Sequence, residues 1–234
     1  MTDRRDLRFY GRRKGHDLKP GRQRLYEEAL PLLRLPDAIP ADLTALFAEP
    51  VRDIWLEVGF GSGEHLAHQA RTHPDVGFIG CEPFVNGVAA LLATISRDKL
   101  SNIRIFDDDA RRILPRLASA SIARVFLMFL DPWPKRRHHR RRFIQADTLD
   151  ELARIMKPDA ELRFASDEPS YVRWTLWHVL RHPAFAWTAQ APVDWRMRWP
   201  DAIATRYEAK GLASKTPAYL TFVRRSAPAS PDGP

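Results

Sequence analysis

A single carboxylate in this 234-residue chain stands where chemistry on a nucleobase would need one. Asp131 opens the tetrapeptide Asp131-Pro132-Trp133-Pro134. Before it lies an apolar run of strand type, residues 125–130. After it lies Lys135-Arg136-Arg137-His138-His139-Arg140-Arg141-Arg142, with six cations and two histidines. A charge at the end of a buried strand, a ring plane and a phosphate-attracting run can together hold one base beside a reactive cofactor. Trp133 either stacks on that base or packs on Pro132 and Pro134. Lys135 reads as a contact to phosphate or base. Arg137, Arg140, Arg141 and Arg142 read as a rail for an RNA backbone, because no acid is interleaved among them.

A second constellation lies upstream, in Glu57-Val58-Gly59-Phe60-Gly61-Ser62-Gly63-Glu64. It falls where a strand pattern gives way to a helix pattern. Gly59 and Gly61 let the backbone pass close under a ligand. Glu82 follows 23 residues after Gly59, about where an acid accepts from ribose hydroxyls. The spacing is G-x-G-x-G, with Glu64 directly after it and Glu57 directly before it. Those acids oppose a pyrophosphate, which a clear helix N-terminus would attract. They suit a sulfonium and an ammonium, so S-adenosylmethionine fits better than NAD. Asp109 closes Asp107-Asp108-Asp109 after the third strand. It reads as an acceptor for an adenine amino group, or as a helix N-cap.

The elements that must position these groups alternate. Strands are predicted over residues 53–58, 76–81, 102–106, 124–130 and 161–165. Helices are predicted over 64–72, 84–98, 110–117, 143–156 and 170–181. Two last strands fall at 185–189 and 218–224, and a short helix lies within 22–35. Five strand–helix units in series predict a doubly wound α/β sheet. Residues 1–40 form a basic arm with the short helix, 41–225 the main domain and 226–234 a disordered tail. The first 24 residues carry nine Lys/Arg against three Asp, and this arm is expected to order on a partner and to follow an RNA backbone.

Composition narrows the partners. The formal net charge is +8 and the pI about 10.0, which favours polyanions. The lone cysteine, Cys81, excludes an intramolecular disulfide and a cysteine-rich zinc site. His138 and His139 lack a ligand set, so no metal is expected. No apolar run approaches a membrane span and the N-terminus is unlike a signal peptide, so a cytoplasmic protein is expected.

Taken together, these residues resemble the TrmB-type tRNA (guanine-N7)-methyltransferases. The matching pieces are Gly11-Arg-Arg-Lys-Gly15, Leu56 to Glu64, Gly80-Cys-Glu82, Asp131-Pro-Trp-Pro-Lys135 with the basic run, Ala165-Ser-Asp167 and Thr205-Arg-Tyr-Glu-Ala-Lys-Gly211. They cover most of the chain in the expected order. One departure is Leu130, where the family usually has Pro before the motif Asp. The resemblance implies a class I methyltransferase fold: a Rossmann-like, mostly parallel seven-stranded sheet with helices on both faces. It implies cofactor contacts at Glu57, Glu82, Asp109 and Asp131, beside Gly59 and Gly61. It implies substrate contacts at Lys135, Asp167, Thr205, Arg206, Tyr207 and Glu208. The reaction implied is methylation of N7 of the variable-loop guanine of tRNA, position 46, by a monomer or homodimer.

Read on their own chemistry, Asp167 accepts from a guanine N–H or caps the next helix. Glu208 accepts from guanine's Watson–Crick edge or pairs with Arg206. Competing readings are an exocyclic-amine methyltransferase, an NAD oxidoreductase and a non-catalytic RNA-binding module. The first favours Pro at the third place of the tetrapeptide, which here is Trp133. The loop spacing opposes the second, and the intact acidic set opposes the third.

Overall fold

The computed structural model describes residues 8–209 and 216–226. The expectations for residues 1–7, for Lys210 and Gly211, for the side chain of Arg206 and for the tail beyond 226 lie outside the described residues.

Seven strands form one sheet in the order β3-β2-β1-β4-β5-β7-β6. They are β1 (Asp53–Val58), β2 (Val76–Cys81), β3 (Ile103–Phe106), β4 (Ile122–Met128), β5 (Met156–Ser166), β6 (Phe185–Trp187) and β7 (Ala218–Arg224). The first five run parallel, and β7 pairs antiparallel with both β5 and the edge strand β6. The central strands are nearly all apolar because both faces are covered.

Helices α1 (Pro20–Leu33), α2 (Glu64–Thr72) and α3 (Val85–Asp98) cover one face. Leu30, Leu66 and Leu91 meet Phe78 and Phe126 there. Helices α4 (Ala146–Ile155) and α5 (Pro169–Val179) cover the other, where Leu149, Leu152 and Tyr171 pack on Val125, Leu127 and Phe164. Short helices α6 (Val193–Arg196) and α7 (Arg206–Ala209) lie in the connection to β7.

Four local departures from the sequence expectation have physical causes. Residues 110–117 form two 3-10 turns rather than a helix. Pro115 lacks the N–H a helix needs, and Arg111 folds back on Asp109. Strand β4 stops at Met128, two residues early, because Phe129 takes a left-handed φ of 51°. The predicted helix over 143–156 starts late, at a Gln145–Thr148 capping box. Strand β5 begins at Met156, and its register against β4 shifts between Ile122 and Arg124, so that Glu161 rather than Pro158 faces Arg124.

The basic arm is already docked over residues 8–19, where the sequence predicted ordering on a partner. Val85 N–H donates to the Arg13 carbonyl at 2.9 Å. The Asn86 amide donates to the His16 carbonyl at 2.7 Å and accepts from Gly15 N–H at 2.8 Å. Arg13 pairs with Asp108 at 2.6 Å. These bonds replace the water that an extended arm would otherwise hold.

Candidate active site

The carboxyl ends of β1, β2 and β4 are level, since Val58 pairs with both Cys81 and Leu127. Their exits enclose a cleft of about 380 Å³, the expected place for a ligand on an open α/β sheet. Gly59, Gly61, Glu82, Asp109, Asp131, Trp133 and Arg141 all line it, and Phe9 to Arg12 of the arm form one wall.

The floor is the glycine loop. Gly59, Gly61 and Gly63 have φ of 73°, 57° and 80°, values an L side chain rarely adopts. A Cβ on Gly59 would come within 2.3 Å of Leu130. That makes Leu130, the departure from the family pattern, the roof over this glycine. Glu82 fastens the loop: one oxygen accepts from Gly61 N–H at 2.8 Å and the other from Phe84 N–H at 2.9 Å. Burial pushes its carboxyl up to about 7; the two amide bonds oppose that rise, and nearby Asp131 and Glu57 add to it.

Gly87, which the sequence reading passed over, sets the height of the loop. It lies in the first turn of α3, and a Cβ there would sit 2.2 Å from the Gly61 carbonyl oxygen. The only sequence signal was a glycine inside a helical pattern. Gly87→Ala should push the loop off Glu82 and weaken cofactor binding by about tenfold or more. Calorimetric titration checks this; an unchanged dissociation constant would contradict it.

Asp131 stands three residues beyond β4. It is exposed to the open cleft, and no described side chain or amide bonds to it. The surrounding protein still raises its carboxyl above the ordinary range by desolvation. Phe129 and Trp133 on either side have φ of 51° and 42°, rare for bulky residues and worth about 1–3 kcal/mol of strain each. The turn is therefore held by its surroundings. Phe129 N–H donates to the Ala165 carbonyl at 2.8 Å, and Arg142 Nε donates to the Pro132 carbonyl at 2.7 Å.

The cationic run divides in two. Lys135, Arg137 and Arg140 are exposed on the outer surface. Arg141 turns into the cleft, its guanidinium 4.3 Å from the Tyr10 ring centre and 5.0 Å from that of Trp133. Trp133 thus packs edge-on against Tyr10 and His138 as well as carrying this cation. Arg142 leaves the proposed rail altogether. It is 1% exposed and also donates to the Ser170 carbonyl at 3.1 Å and to Ser170 Oγ at 2.8 Å.

The remaining predicted residues sit at different depths. Asp109 is both an N-cap, accepting from Arg111 N–H at 3.0 Å, and the partner of the Arg111 guanidinium. Glu57 lies beneath the loop, 3% exposed, with His65 Nδ1 at 2.7 Å. Asp167 opens onto a neighbouring cavity of about 300 Å³ lined by α5, Trp187, Trp195 and the start of β7. Tyr207 links the two spaces: its hydroxyl donates to Asp167 at 3.2 Å and its ring lies 5.4 Å from that of Phe129. Glu208 is held by several partners from the protein itself. Its carboxylate accepts from Thr205 N–H at 2.9 Å, Thr205 Oγ1 at 3.0 Å, Arg198 at 3.0 Å and the Tyr219 hydroxyl. Burial pushes this carboxyl up, but those bonds outweigh it and hold it low. Glu208 anchors the segment that carries Tyr207.

Among the described residues no cluster of three or more His, Cys, Asp or Glu could hold a metal ion, and no helix is long and apolar enough to cross a membrane.

The chain is similar to known proteins. A family model described as "Putative methyltransferase" matches residues 51–221. A tRNA (guanine-N(7)-)-methyltransferase of Rhodospirillum rubrum is 52% identical over 97% of this chain and 91% of its own. One of Roseobacter denitrificans is 51% identical over 92% and 95%. The solved 16S rRNA methyltransferase KamB has a TM-score of 0.55 at 16% identity, covering 75% of this chain and 89% of its own; that likeness places the fold among the class I methyltransferases.

Proposed function

This chain belongs to the tRNA (guanine-N7)-methyltransferase family, and from that premise we propose how its cleft performs the reaction. The activity is methyl transfer to N7 of a guanine in tRNA. S-adenosylmethionine is the donor, and the guanine is that of the variable loop.

The residues of the cleft suit that donor. Glycines open the floor to the ligand's backbone-side approach; the acids Glu82, Asp109 and Asp131 line the cleft, and Glu57 lies buried beneath the loop. When bound, the cofactor supplies a methyl group on a cationic sulfur. Glu82 retains lone pairs to accept from ribose hydroxyls while fixing the loop. Asp109 accepts from the adenine amino group. Arg141, held between Tyr10 and Trp133, meets an anionic group, the cofactor's carboxylate or an RNA phosphate.

Guanine N7 carries an in-plane lone pair and no proton, so the chain need supply no obligatory base. Asp131 stabilises the positive charge that develops on the five-membered ring of the base. A carboxylate carried on a turn that the protein already holds, in a partly desolvated cleft, does this with little reorganisation. Phe129, Tyr207 and Asp167 receive the base and align N7 with the methyl group, with Thr205 and Glu208 holding that wall. Lys135, Arg137 and Arg140 meet the RNA backbone. The observation that carries this reading is the unpartnered carboxylate of Asp131 at the mouth of a glycine-floored acidic cleft.

Cofactor class is tested by thermal shift, since a ligand of the native state raises stability. S-adenosylhomocysteine should raise the melting temperature and NAD should not; the reverse would refute the assignment. The Glu82 titration adds a sign. Its folded carboxyl lies near 7 against an ordinary 4.5, so the free protein should lose stability as pH rises through that window. The carboxylate accepts from ribose hydroxyls more strongly than the neutral acid, so S-adenosylhomocysteine should bind more tightly from about pH 6 to about pH 8. Glu82→Gln should flatten that rise.

A further inference from the structure

Below the glycine loop, outside the cleft, a chain of buried polar groups runs from Glu57 in β1 along α2 to the loop of Asp201. Glu57 Oε2 meets His65 Nδ1 at 2.7 Å. His65 Nε2 faces Gln69 Nε2 at 3.4 Å, and Gln69 Nε2 donates to the Asp201 carbonyl at 2.7 Å. The three side chains are 3%, 2% and 0% exposed. The Asp201 carboxylate is itself clamped by Arg163 at 2.7 Å and Arg124 at 3.3 Å.

These contacts determine the proton positions. Turning the Gln69 amide over would put Oε1 against the Asp201 carbonyl, oxygen against oxygen. The orientation with Nε2 toward that carbonyl is therefore fixed, although it leaves Oε1 buried without a partner. A Gln N–H then points at His65 Nε2, which must be the lone-pair nitrogen. The ring proton sits on Nδ1 and is donated to Glu57. A doubly protonated imidazole would set N–H against N–H at Gln69.

We infer that His65 is a positioning residue for Glu57: a neutral Nδ1–H donor that aims the carboxylate without neutralising it. The inference rests on the assignment of Glu57 to the cofactor. A cationic partner in place of His65 would cancel the charge that a sulfonium or ammonium needs. A neutral donor fixes one oxygen and leaves the full negative charge facing the loop. The imidazole also packs edge-on against Phe126, 4.8 Å between ring centres, which locks its rotation.

The test separates the donated proton from the space the ring fills. Asn carries an N–H near the place of Nδ1, whereas Leu fills the site without one. His65→Asn should keep S-adenosylhomocysteine affinity and the KM for the methyl donor within about threefold, while His65→Leu weakens both by about tenfold or more. Both should leave kcat at saturating donor nearly unchanged, and both should lower the melting temperature through lost packing on Phe126. In a Glu57→Gln background His65→Leu should add little. Asn no better than Leu, or affinity that simply follows melting temperature, would overturn the inference alone. Wild-type protein that fails to bind S-adenosylhomocysteine would overturn it together with the cofactor assignment.

Discussion

Asp131→Asn and Asp131→Ala lower kcat for methyl transfer by about 100-fold or more and leave the melting temperature unchanged or slightly raised. The two halves of this expectation have one cause. Asp131 makes no bond to a described residue, and its carboxyl is raised by desolvation alone. A charge that the fold does not support lowers the stability of the folded state, so its removal relieves the protein. The same charge is free to act on whatever enters the cleft. Stopped-flow or quench kinetics with saturating tRNA and donor would check the first half, and calorimetry the second. Wild-type kcat in either variant would remove Asp131 from the mechanism. A large fall in melting temperature would make it a structural cap.

Arg142→Ala is the second large effect, and it is one of stability. The side chain donates to Pro132 and twice to Ser170 and lies over the rings of Tyr171 and Trp174. Removing it leaves two partly buried carbonyls and a hydroxyl without that donor and frees the strained turn that carries Asp131. A loss of about 3 kcal/mol or more of unfolding free energy is expected. Arg137→Ala and Arg140→Ala, five and two residues away, should change stability by less than about 0.5 kcal/mol. Each should instead weaken tRNA binding and reduce its salt slope by about one. Denaturant unfolding and salt-dependent binding separate the two classes. Equal behaviour of Arg142 and Arg140 in both assays would contradict the division of the run.

That division shows where sequence reading stops. Six cations within eight residues carry a total charge that can be read at once, but their directions depend on a 3-10 turn, Arg136–Arg141, that has no periodic signature. The glycine loop and Asp131 were legible because strand ends and tight turns force particular residue types. Strands β1, β2 and β7 were legible to the residue, since apolar runs bounded by turn residues leave little freedom. The docking of the arm was hidden: basic composition predicts a polyanion partner, and nothing local announces that Asn86 will hold two of its backbone groups. The anchoring of Glu208 was hidden for the same reason. Its real partners, Arg198 and Tyr219, come from ten residues upstream and from β7, a distance over which spacing carries no signal. The buried pair Glu57 and His65 lies eight residues apart across the glycine loop, and only the turn of that loop brings them together.

The central claim is tested most directly by methyl transfer from labelled S-adenosylmethionine to unmodified tRNA, followed by nucleoside analysis of the product. Label recovered as 7-methylguanosine, and lost with Asp131→Ala, is the result predicted. Label on any other nucleoside, or none from a protein that binds S-adenosylhomocysteine, would contradict it.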